Sequence, residues 1–107
     1  MKALVCVKMD LGKVYEEIKK RYDVEFINYY DERVELRDTN DIKDVIQKTD
    51  SNALVIYANF EYAIDLLATG DIDTAFVIVR NRNPAELDKP FVIYCIEYKG
   101  GINKFKA

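Results

Sequence analysis

Four short apolar runs punctuate the chain: residues 3–7 (ALVCV), 53–58 (ALVIYA), 75–79 (AFVIV) and 91–96 (FVIYCI). Each has the length of a strand, is rich in β-branched or aromatic residues, and is apolar at both parities. A strand with one face in water alternates apolar and polar positions, whereas a strand covered on both faces need not. The four runs therefore predict the central strands of a sheet with helices packed over it.

The pattern between them supplies those helices. Strand 2–9 ends at Asp10, a candidate N-cap, and Leu11, Val14, Tyr15, Ile18 and Tyr22 then recur at helical spacing over 11–22. Glu16/Lys20 and Glu17/Arg21 are i,i+4 pairs on the opposite face, the signature of a solvated surface. Residues 24–30 and 33–37 each alternate and predict a hairpin at the sheet edge, with Arg33, Glu35 and Arg37 guarding the outer strand. Asp38, Thr39 and Asn40 form a cap cluster before a short helix at 41–49. Asn59 caps a further helix at 60–69, and Gly70 stands where a C′ glycine belongs. In that helix Phe60, Ala63, Ile64 and Leu67 make an inner stripe, while Tyr62 and Leu66 lie on a second face. Strand 74–80, a loop over 81–90 and strand 91–98 follow, and Gly100-Gly101 releases a flexible tail at 100–107.

The expected fold is one α/β domain over 1–107. It has a mixed sheet of five or six strands with three helices, in the order βαββαβαββ. The alternative starts from 1–58, which spell βαββαβ, as a ferredoxin-like α+β unit extended by a helix and a hairpin. Parallel pairing of the strands at 2–9, 53–58 and 74–80 favours the first.

Composition narrows the chemistry. At 107 residues, half of them apolar and a third charged, the chain can bury one core without staples. No apolar run approaches the ~20 residues that span a bilayer, and no secretory signal is expected, so the protein is placed in the cytoplasm with no membrane partner. A net charge of −3 argues against binding nucleic acid by bulk charge. There is no histidine, which removes the commonest general base and metal ligand and excludes Ser-His-Asp and Cys-His catalysis within one chain. Cys6 and Cys95 fall in predicted strands and read as small core residues in a reducing compartment; a disulfide between neighbouring strands is the other option. One serine and one glutamine beside many Ile, Val, Tyr, Lys, Asp and Glu hint at a thermophilic source.

Four groups of residues are candidates for function. In α/β sheets, ligands bind beyond the carboxyl ends of parallel strands, near helix N-termini. That geometry would set Asp10, Asn59, Arg80 and Arg82 along one rim. Two guanidiniums two residues apart suit a phosphate or carboxylate, because each offers a planar fork of donors. The plain alternative makes Asp10 and Asn59 caps and the Arg80–Asn83 stretch a polar turn before Pro84. Carboxylates at Asp71 and Asp73, and at Asp38, Asp41 and Asp44, are hard enough for magnesium. The first pair precedes its strand, away from the rim, and the others sit where a helix start favours negative charge, so no metal and no cofactor is expected. Residues 80–107 carry six bases (Arg80, Arg82, Lys89, Lys99, Lys104, Lys106) against three acids (Glu86, Asp88, Glu97), with Tyr98 and Phe105 nearby, a pattern that suits stacking of bases beside phosphates. Tyr62 and Leu66 are candidates for an interface between two copies.

No motif identifies a family. The reading these features favour is a small intracellular binding or regulatory protein without catalytic activity, a homodimer acting through protein-protein contacts with an unknown protein partner. The alternatives are a nucleotide- or nucleic-acid-processing enzyme at the Asp10/Asn59/Arg80/Arg82 rim, and an RNA- or DNA-binding module using the basic C-terminal quarter.

Overall fold

Successive side chains of a strand point to opposite sides of the sheet, so an apolar run feeds two cores at once. The computed structural model of the protein describes residues 1–7, 12–29, 38–97 and 101–106. Among these the strands are β1 (Lys2–Cys6), β2 (Glu25–Asn28), β3 (Ala53–Tyr57), β4 (Thr74–Arg80), β5 (Phe91–Glu97) and β6 (Gly101–Lys106). The helices are α1 (Gly12–Arg21), α2 (Thr39–Thr49) and α3 (Phe60–Thr69), with a 3-10 turn at Pro84–Glu86.

The strands form one sheet in the order β2-β1-β3-β4-β5-β6. β2, β1, β3 and β4 are parallel, and β5 and β6 continue as an antiparallel meander. The chain steps outward from β1 to β2, then back past β1 to β3 and on to β4. Right-handed crossovers in opposite directions put their helices on opposite faces, and the two cores bear this out. On one face Val14 and Ile18 of α1 cover Ala3, Val5, Ala53, Val55, Phe76, Ile78, Ile93 and Cys95. On the other, Ile42, Val45 and Ile46 of α2 and Ala63, Leu66 and Leu67 of α3 cover Leu4, Leu54, Ile56, Ala75, Val77 and Ile96. Helices on both faces of a largely parallel sheet define the α/β class and exclude the ferredoxin-like alternative.

The expected mixed sheet, three helices and single domain are all present. The strand expected at 33–37 lies outside the described residues. One expectation is corrected: where a flexible tail was expected over 100–107, Gly101–Lys106 is strand β6, paired with β5 from Glu97↔Gly101 to Val92↔Lys106. Gly101, one of the two glycines that suggested release of the tail, is the first residue of this return strand instead.

Helix ends are fixed as the sequence suggests. Asp38 caps α2, its Oδ1 accepting the Asp41 N–H at 3.0 Å. At the other end Asp50 takes a left-handed conformation with φ 53°. In α3 Asn59 is the N-cap, and Gly70 at φ 79° closes the helix with the Gly70 and Asp71 N–H groups donating to the Leu67 and Leu66 carbonyls, as in a Schellman motif.

Candidate functional site

Parallel strands end on one side. The carboxyl ends of β1, β3 and β4 therefore share a rim with the ten-residue β4–β5 loop over 81–90. The order reverses between β1 and β3, and such switch points are where open α/β sheets hold ligands. Asp10 lies outside the described residues. The other three rim residues are described, and the structure divides them.

Asn59 serves α3. Its Oδ1 accepts the Tyr62 N–H at 3.3 Å, and it is half-buried. Ala58 before it has φ 53°, left-handed without being glycine, while its N–H donates to the Ile78 carbonyl at 2.8 Å. The turn from β3 into α3 is thus held tight, and Asn59 performs the plain capping role on the α3 face of the sheet.

Arg80 belongs to the opposite face. Ala75, Val77 and Val79 pack on the α2/α3 side, and Phe76 and Ile78 on the α1 side. By strand parity Arg80, the last residue of β4, continues the α1 side. Asn81 is buried at 8% exposure and organises the loop beyond. Its Nδ2 donates to the Glu86 and Lys89 carbonyls at 3.0 and 2.9 Å, its Oδ1 accepts the Asn83 N–H at 3.0 Å, and its own N–H donates to the Pro90 carbonyl at 2.8 Å. Asn83 in turn accepts the Ala85 N–H at 3.1 Å and starts the 3-10 turn. A buried amide with both ends satisfied fixes a loop far better than a solvated one. Arg80 and Arg82, both exposed, flank this anchor.

Two residues that the sequence reading passed over share the rim with Arg80. Phe91 is its direct cross-strand partner, and Tyr57 pairs with Ile78 one pleat below. Both rings are half-buried and pack against the α1-side core. Each reads as core in an apolar run; only the register of β3, β4 and β5 reveals that they bracket an arginine.

The interface pair also divides. Tyr62 is half-buried against the α2/α3-side core, but Leu66 is fully buried inside it and has no surface to offer. The inner arc of α3 is centred on Ala63, Leu66 and Leu67, which leaves Ile64, expected to face inward, 50% exposed at its border. Contiguous apolar positions had left the centre of the arc ambiguous.

The remaining chemistry is structural. Cys6 lies on the α2/α3 side and Cys95 on the α1 side, with β3 and β4 between their strands, so no disulfide joins them; both are free thiols. Burial pushes the Cys6 thiol up to about 12. The Tyr22 hydroxyl donates to Cys95 Sγ at 3.1 Å, and this bond, then burial, pushes Tyr22 up to about 12. Asp71 accepts from the Thr69 hydroxyl and pairs with Lys43 at 3.2 Å, contacts that hold its carboxyl below the ordinary value. Among the described residues no three potential metal ligands gather. A groove of ≈ 500 Å³ lies at the other end of the sheet, lined by Lys19–Val24. Its cations are engaged: Lys20 pairs with Glu17 at 2.9 Å and Lys19 sits 5.6 Å over the Phe26 ring.

No family model, no curated protein and no solved structure matches this chain. Among the described residues no helix is long and apolar enough to cross a membrane.

Proposed function

We propose that this protein is a small binding protein of regulatory type, working in the cytoplasm without catalysis, and that its ligand is an anion held at the carboxyl rim by Arg80 and Arg82. The observation that carries this reading is Asn81. Its buried side chain makes three hydrogen bonds within the loop, so the backbone that carries Arg80 and Arg82 is fixed. A fixed backbone leaves less freedom to lose when the exposed guanidiniums bind a phosphate or carboxylate. The test is a titration of the labelled protein with inorganic pyrophosphate, followed through its amide resonances. Shifts across 81–90, absent in an Arg80→Ala/Arg82→Ala variant, are the expected result. A wild type with no shifts at millimolar pyrophosphate overturns it.

Self-association is the second reading, favoured by Ile64, an apolar residue of α3 that is 50% exposed. Light scattering on the wild type and Ile64→Glu tests it: a dimer that becomes a monomer supports this surface, and a monomeric wild type removes it. An enzyme at the rim would need Asp10; nucleotide hydrolysis abolished by Asp10→Ala with the fold kept would replace the non-catalytic reading.

A further inference from the structure

The helix over the Arg80 side leaves one corner of the sheet for the rings. Tyr15 of α1 meets Phe26 of β2 at 4.7 Å between ring centres, whereas Tyr22, just beyond the helix, meets Phe76 near the start of β4 at 5.1 Å and reaches Cys95 of β5. By register Phe26 is level with Ala3, Ala53 and Thr74, so both ring contacts of this helical segment fall in the amino half of the sheet. The opposite corner, at the carboxyl ends of β3 and β4 and the start of β5, holds Tyr57, Arg80 and Phe91. Residues directly opposite across a pair of strands have Cβ atoms about 5 Å apart, and diagonal neighbours lie roughly 7–8 Å apart. Arg80, an exposed residue, thus lies on the strand between those of two half-buried rings and on their face, with Arg82 two residues on.

We propose that this corner is a nucleoside-phosphate site, in which the ring of a base lies against Tyr57 or Phe91 while its phosphates meet Arg80 and Arg82. The inference rests on the anion reading above and adds the class of ligand. An anion alone has no use for aromatic faces. A base uses both the apolar face and, through cation–π contact, the adjacent arginine. Nucleotide and single-stranded nucleic acid share this chemistry. The acidic net charge of −3 favours a short ligand over a long polyanion.

Calorimetric titrations of the full chain separate the parts, using ATP, inorganic triphosphate, and a single-stranded hexanucleotide as probes. ATP is expected to bind about tenfold more tightly than triphosphate, the order of one base–aromatic stack. Tyr57→Leu and Phe91→Leu should lower ATP affinity toward that of triphosphate and leave triphosphate binding unchanged. In the wild type, ATP should also shift the ring-proton resonances of Tyr57 or Phe91, a readout independent of how well the variants fold. Tight hexanucleotide binding with the same dependence on the rings, and weak ATP binding, would support the site and assign it to a polymer. Equal affinity for ATP and triphosphate, without ring shifts, overturns the base site and leaves the anion reading standing. Failure of all three probes overturns both.

Discussion

Two residues carry backbone strain that glycine would relieve. Ala58 and Asp50 both have φ 53°, a region that costs an L-residue about 1–2 kcal/mol. Ala58 turns the chain from β3 into α3, and Asp50 closes α2, where its negative charge also faces the wrong end of the helix dipole. Asp50→Gly and Ala58→Gly should each raise the midpoint of denaturant unfolding by an amount worth roughly 0.5–1 kcal/mol, once the added freedom of the unfolded chain is subtracted. Tyr22 makes a pH prediction. Its hydrogen bond to Cys95 favours the neutral phenol in the folded state and lifts its ionisation from 10.0 to about 12. A group whose native value is raised stabilises the fold fully below its unfolded value and loses that contribution as pH rises through the native one. Unfolding midpoints should therefore fall more steeply between pH 10 and 12 for the wild type than for Tyr22→Phe, whereas parallel curves would show the bond to be unimportant.

At the scale of elements, what the sequence made legible follows from how much of each signal is local. The helices at 12–21, 39–49 and 60–69 and the strands at 53–57, 74–80 and 91–97 were readable because apolar periodicity and caps such as Asp38, Asn59 and Gly70 are written in neighbouring residues. β6 is not legible as a strand because INKFK, after two glycines, carries no strand signal beyond weak alternation; its order comes from pairing with β5. The candidate site was half legible. Arg80 and Arg82 stand out in any reading, but Tyr57 and Phe91 join them only through cross-strand register, and Leu66 leaves the surface only because the inner arc of α3 centres there. Asn81 is the least legible of all, an amide in a polar loop that looks solvated and is not. Its removal is informative: Asn81→Leu should cost about 1–3 kcal/mol, since it strands the Glu86 and Lys89 carbonyls and the Asn83 N–H. Thermal unfolding measures that cost, and protease cleavage within 81–90 should quicken in the same variant.

For the molecule as a whole, the sheet joins two modes of construction. β1 to β4 are tied by helical crossovers, while β4, β5 and β6 follow one another as a meander with contacts close in sequence. Local pairings carry a smaller loop-closure cost than crossovers. The meander should therefore be able to form ahead of the parallel wing. Pulse-labelled hydrogen exchange during refolding should show amides of β4 and β5 protected before those of β1; the reverse order would place the nucleus in the parallel wing.

The two thiols lie on opposite sides of an intact sheet, each beneath its own layer of helix. A covalent link between Cys6 and Cys95 cannot arise while that sheet stands, because neither sulfur can pass through it. Mild oxidation thus turns the chain into its own recorder: molecules that run as a cross-linked monomer on a non-reducing gel must have opened at least once, and the rate at which that band grows counts openings. A stabilising Asp50→Gly should slow the band's growth, and a destabilising Asn81→Leu should speed it, with no label or probe attached.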